Sequence, residues 1–155
     1  MRYEPAKASL YIKNRAKVAD KLPSNSLAVI NSNDIMPTNA DGTVKFRQNN
    51  DLLYLCGIDQ EETILVICPD FPDPALREVL FIKRTSEHIA IWEGHKFTME
   101  EAAVLSGIKT IKWNTEFETV FNTLMQLSKH VFLNTNEHLR AAVEVETRDA
   151  RFIKE

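Results

Sequence analysis

The run Ser26-Leu27-Ala28-Val29-Ile30 constrains this chain most. Its apolar residues follow one another without polar alternation and are bounded by turn formers, the pattern of a strand covered on both faces. Such a strand needs helices above and below its sheet. Thr63 to Cys68 and Val79 to Lys83 are two further runs rich in β-branched and aromatic residues, and the Pro69 to Pro74 connector makes them neighbouring, antiparallel strands. Ile108 to Trp113 and Val131 to Leu133 supply two more.

The helices announce themselves by their ends. Pro5 suits a first turn, Tyr11, Val18 and Leu22 share one face, and Pro23 closes a helix over about 5 to 22. Asn49 or Asn50 can cap a short segment carrying Leu52 to Leu55, which Gly57 ends. Thr98-Met99-Glu100-Glu101 has capping-box spacing, and Gly107 stands where a helix C-cap wants it, which predicts a helix over 99–106. Thr115-x-x-Glu118 repeats that spacing ahead of Phe117, Val120, Phe121, Leu124 and Leu127, a stripe for the sheet. The residues from Asn31 to Lys45, with Asn33, Asp34, Pro37, Asn39, Asp41 and Gly42, read as a long loop. Alternating strands and capped helices give an α/β fold, a three-layer α/β/α sandwich with a mixed sheet.

Charge and composition narrow the partners. The 19 Lys and Arg against 22 Asp and Glu leave a formal charge of −3, and no basic run exceeds two residues. Phosphate-backbone binding needs clustered cations, so nucleic acid is not an expected partner. No apolar run approaches the roughly 20 residues that span a bilayer. The first residues lack a signal-peptide core, which points to a cytoplasmic address. Cys56 and Cys68, flanked by apolar residues, read as reduced core thiols.

Most catalytic devices are missing from the sequence. Four glycines, at 42, 57, 94 and 107, build neither a phosphate loop nor a dinucleotide fingerprint. His88, His95, His130 and His138 show no close zinc spacing, and there is no Gly-x-Ser-x-Gly elbow. Two segments stand out instead. In Phe46 to Gly57, polar residues run directly into an apolar helical turn; on pattern alone this is a capped helix in which Arg47 and Asp51 make local hydrogen bonds. In Ile91-Trp92-Glu93-Gly94-His95, the Trp is either a core residue or an aromatic face offered to a ligand or partner.

Together, Phe46-Arg47-Gln48-Asn49-x-Asp51-x-x-Tyr54-Leu55-x-Gly57 and the later Ile91-Trp92-x-Gly94 resemble the N-terminal domain of aminopeptidase P, the Xaa-Pro aminopeptidase of the creatinase/prolidase group. Asn50, Leu52, Leu53, Cys56 and His95 depart from the usual residues of that pattern. The resemblance implies a ribonuclease H-like topology without its carboxylates, spanning 1–140, with 141–155 beginning a connector to a C-terminal metallopeptidase domain. It further implies that two divalent ions, manganese in most members, sit in that second domain and hydrolyse the bond before a penultimate proline through a bridging hydroxide. No metal ligand or catalytic residue is thereby carried onto this chain. What it carries over is a role for Trp92, and for Asp41, at the substrate cleft, and a framework of Arg47, Gln48, Asn49, Asp51, Tyr54, Gly57 and Gly94. The implied partners are the catalytic domain, a peptide with proline second, and further copies in a dimer or tetramer. Alternatives of the same ancestry are a catalytically dead protein-binding module, as in a histone chaperone, and a prolidase N-terminal domain.

Overall fold

The computed structural model describes residues 6–85 and 95–135. Four helices and five strands follow in the order α1 (Ala8–Ala19), β1 (Ser26–Asn31), α2 (Asn50–Cys56), β2 (Ile64–Ile67), β3 (Glu78–Ile82), α3 (Met99–Ser106), β4 (Thr110–Trp113), α4 (Phe117–Met125) and β5 (His130–Leu133) among the described residues. The sheet runs β4-β3-β2-β1-β5. Its centre, β1 to β2 to β3, is antiparallel, while β4 joins β3 and β5 joins β1 in parallel, so the sheet is mixed as the sequence predicts.

Period-two geometry divides the apolar runs between two cores. Ala28, Ile30, Leu65, Ile67, Leu80 and Ile82 point to one face, where Leu52, Leu55 and Cys56 of α2 and Ala102 of α3 bury against them, with Val18 of α1 alongside. Leu27, Val29, Val66, Val79 and Phe81 point to the other, under Val120 and Leu124 of α4. Three helices on one side and one on the other make the α/β/α sandwich. Phe117 stands edge-on to Phe81 at 5.3 Å and stacks on Phe121 at 5.3 Å, an arrangement suited to the ring quadrupoles.

The two thiols belong to opposite faces, Cys56 to the first core and Cys68 to the second, and both are free and buried. Burial pushes the Cys56 thiol up to about 12 and raises that of Cys68. Neither has thiolate character.

Local chemistry explains where the elements stop. Asn49 Oδ1 accepts from the Asp51 amide at 2.9 Å and caps α2, and Gly57 closes it in the left-handed conformation, φ 74°. Thr98 and Glu101 exchange the two hydrogen bonds of a capping box at 3.2 and 2.9 Å. The expected box at Thr115 does not form. Asn114–Glu116 make a 3-10 turn instead, and the Glu116 carboxylate accepts from the Trp113 amide at 3.1 Å and from Lys112 Nζ at 2.8 Å. Glu116 wins because it lies three residues after the free amide at the end of β4 and next to a cation. The helix also stops at Met125, so Leu127, expected on the buried stripe, is 53% exposed.

Candidate functional site

The polar motif of 46–57 builds its surroundings from the backbone outward. Gln48, though an amide, is buried because every polar atom of its side chain is engaged. Its Nε2 donates to the carbonyls of Ile58 at 3.0 Å and Gln60 at 2.7 Å, and its Oε1 accepts from the Asn49 amide at 2.7 Å. This fixes the turn that follows Gly57 against the cap of α2. Asn49 is that cap, and the Tyr54 carbonyl accepts from Asn14 Nδ2 of α1 at 2.9 Å.

Asp51 makes its expected local hydrogen bond through its backbone, whereas the bond at Arg47 reaches fourteen residues back. The Arg47 carbonyl accepts from Asn33 Nδ2 at 3.0 Å, and the Asp51 amide donates to Asn49 Oδ1 at 2.9 Å. Both side chains are exposed and line a polar depression of about 380 Å³ with Asn33, Asn49 and Asn134. Asn134 exchanges two hydrogen bonds with the Asn31 backbone, at 2.9 and 3.0 Å, and so extends the pairing of β5 with β1 by one side chain.

Asp41 lies elsewhere. Pro37 and Thr43 form an isolated antiparallel bridge, the Val44 amide donates to the Met36 carbonyl at 2.8 Å, and Asp41 sits exposed at the tip between them. It does not line the depression. Trp92 and Gly94 lie outside the described residues, as do the chain from 136 onward and the proposed connector within it.

What sequence reading missed is the short link 58–63. Gln60 is buried, and its Oε1 accepts from the Phe97 amide at 2.7 Å. Glu61, also buried, takes a hydrogen bond from Lys96 Nζ and lies 4.0 Å from Lys83 Nζ, which itself pairs with Glu62 at 3.2 Å. Lys83 follows β3 and Lys96 precedes α3, so one carboxylate draws together the two ends of the segment that carries Trp92 and Gly94. The first motif is thus joined to the flank of the second: Gln48 holds the Gln60 carbonyl, and Gln60 holds Phe97. The legible signal was Gln60-Glu61-Glu62, a polar triplet with no loop to fill, placed directly before an apolar strand.

Burial by itself would raise the Glu61 pKa, but the Lys96 hydrogen bond and the charges of Lys96 and Lys83 outweigh it and hold the carboxyl below its ordinary value of 4.5. The linked stability is therefore complete above pH 4.5 and is lost as pH falls through the lower native value. Glu61→Gln is expected to cost about 1.5 kcal/mol at pH 7, the scale of a hydrogen bond to a charged group. The gap between the urea midpoints of the two proteins should hold above pH 4.5 and narrow as pH falls through the lower native value, where the wild-type carboxyl takes up its proton. A gap that does not narrow at any pH down to the onset of acid unfolding would exclude the charge as its cause.

Among the described residues, no three His, Cys, Asp or Glu side chains gather where they could share an ion. A dinuclear centre does not fit them. Nor is any helix among them long and apolar enough to cross a membrane.

Comparison with known proteins places these features in a family. The profile of "Aminopeptidase P, N-terminal domain" matches residues 11–132. Human Xaa-Pro aminopeptidase 3 is 28% identical over 97 residues, which cover 61% of this chain and 19% of that protein. A solved aminopeptidase P-type protein from Bacillus anthracis superposes with a TM-score of 0.77 at 25% identity, covering 96% of this chain and 35% of its own. The aminopeptidase PepP of Pseudomonas aeruginosa also gives 0.77, at 18% identity over 97% of this chain and 32% of its own, a likeness of fold. The chain therefore spans about a fifth of the curated relative and a third of the solved structures. With the profile matched from α1 to β5, over both polar segments and the sheet between them, this chain belongs to the family of the aminopeptidase P N-terminal domain.

Proposed function

We propose that this chain is the non-catalytic N-terminal domain of an Xaa-Pro aminopeptidase, shaping the substrate cleft of an enzyme whose reaction centre lies in polypeptide outside it. The observation that carries this reading is the match to the family over 11–132 in a chain that spans only a fifth to a third of its relatives. The division at about residue 140, a dinuclear manganese centre in the remaining polypeptide, assembly into dimers or tetramers, and a cytoplasmic address all belong to the same proposal. The buried, unpaired thiols are in keeping with that address.

In this reading Trp92 walls the pocket that receives the proline-containing peptide, and Asp41, exposed at its loop tip, hydrogen-bonds or pairs with a cationic group across a subunit boundary. The test is an Xaa-Pro peptide assay with manganese, run on this 155-residue chain and on the full-length gene product. The short chain should be inactive and the longer one active; cleavage by the short chain alone would refute the proposal. In the active protein, Trp92→Ala is expected to lower kcat/KM about tenfold, a loss of about 1.4 kcal/mol in transition-state binding. The same substitution should leave the melting temperature of the short chain nearly unchanged. A loss of several kcal/mol there, the mark of a deleted core aromatic, would make Trp92 structural instead.

A further inference from the structure

Every inner strand of the sheet is buried on both faces, whereas, among the described residues, β5 keeps apolar side chains exposed on both. Its parallel register with β1 sets Phe132 beside Ala28, on the side of α1 and α2, and Val131 and Leu133 beside Leu27 and Val29, on the side of α4. Ala28, Leu27 and Val29 are buried, whereas Val131, Phe132 and Leu133 are 39%, 43% and 58% exposed. A strand apolar on both sides is the pattern of a covered strand. Left open, it is an exposed apolar patch of the kind that marks a contact surface.

A groove of about 350 Å³ runs beside Phe132, walled by Val18 and Leu22 of the first helical layer, by Tyr54 and Leu55 of α2, and by Leu133. Asp51 is the one charged residue on its lining among the described residues. Tyr54, whose carbonyl is tied to α1, leaves its side chain in the groove and is 54% exposed. The occupant therefore presents apolar side chains.

Where the chain goes next identifies that occupant. Asn134, the first residue after β5, lines the same groove, so the polypeptide that follows sets out from its rim. In the solved relatives, about two thirds of the chain lies outside the part this domain covers, and the matched part is the N-terminal domain. We propose that the open faces of β5 and the groove beside Phe132 are the docking surface for the polypeptide that aminopeptidase P relatives carry after this domain, packed in cis on Tyr54, Phe132 and Leu133. The inference rests on the reading of this chain as one domain of a longer protein, but not on what that protein cleaves.

Hydroxyl-radical footprinting tests it, because oxidation rates report side-chain exposure directly. Tyr54, Phe132 and Leu133 should be oxidised at least about fivefold more slowly in the full-length gene product than in the 155-residue chain, while Val104, 80% exposed on α3, serves as the unchanged reference. Phe132→Glu should return Tyr54 and Leu133 in the longer protein to the rates of the short chain; Leu133→Lys, at a more exposed position, repeats the test if the first variant fails to fold. Equal rates in the two proteins, or a gene that ends at Glu155, would overturn the proposal. So would protection in the short chain that rises with concentration alongside a doubled mass in light scattering, since a second copy would then be the occupant. Peptide cleavage is scored separately, so protection without cleavage refutes the enzymatic reading alone, and cleavage without protection refutes the docking surface alone.

Discussion

Replacing Arg15 with alanine is expected to lower the stability of this chain by about 3 to 5 kcal/mol, the scale of leaving two buried carbonyls unpaired and opening a cavity between helices. The side chain is fully buried in α1. Its Nε donates to Glu78 Oε2 of β3 at 2.9 Å, and its Nη1 donates to the carbonyls of Leu55 at 2.8 Å and Ser106 at 3.0 Å. Those carbonyls close the last turns of α2 and α3, where no intrahelical donor remains and the helix dipoles concentrate negative charge. One guanidinium thus satisfies two helix ends and ties three helices to the sheet.

Truncation would orphan both carbonyls and open a cavity the size of the side chain. Urea unfolding followed by circular dichroism should show the loss, with a fall in melting temperature on the order of 10 °C. Glu78→Gln is the control: the amide oxygen can still accept from Arg15 Nε and both carbonyl bonds survive, so the cost should be clearly smaller than that of Arg15→Ala. If Arg15→Ala proved as mild as Glu78→Gln, the carbonyl bonds would not be what holds these helices together.

Gly57→Ala is expected to cost about 3 kcal/mol, from two sources. The residue has φ 74°, where a Cβ adds about 1 to 2 kcal/mol of strain. That Cβ would also collide with Cζ and stand 2.6 Å from Cε2 of Tyr11, a buried ring in α1, and overpacking of this kind adds about 1 to 3 kcal/mol. Gly107 separates the two terms. Its φ is 72°, but the nearest atoms belong to Ile12, which is 46% exposed and free to swing away. Gly107→Ala should therefore show the strain alone, about 1 kcal/mol. Equal urea midpoints for the two variants would mean that the Tyr11 ring yields.

The pairing of Gly57 with Tyr11 illustrates what a sequence exposes and what it hides. That Gly57 ends a helix was legible from the polar cap and apolar turn before it; that it must be glycine for want of space depends on a ring 46 residues earlier. Arg15 was hidden in the same way. It lies four residues after Tyr11 and three before Val18, on the apolar stripe of α1, and only the converging ends of α2 and α3 explain a cation there. Thr115 was misread because capping-box spacing is a local pattern with several solutions, and Glu116 had both a free amide and Lys112 within reach.

The candidate site divides along the same line. Asn49, Gly57 and the buried Gln48 do local backbone work that neighbouring residues specify. Glu61 and Gln60 reach 35 and 37 positions along the chain, to Lys96 and Phe97, a span no periodicity encodes. Asp41 and the depression around Arg47 are separate surfaces, although sequence order alone would have set them near one another.

By itself the sequence determined the covered strands, the caps at Asn49, Gly57, Thr98 and Gly107 and the family resemblance, because unbroken apolar runs and capping act between residues a few positions apart. Tertiary structure alone decided which helix carboxyl ends share Arg15, which lysines share Glu61, and which strand is left with open faces. Each of those depends on elements distant in sequence arriving at one point, and the free energy of such a meeting resides in burial and charge that exist only after the layers have closed.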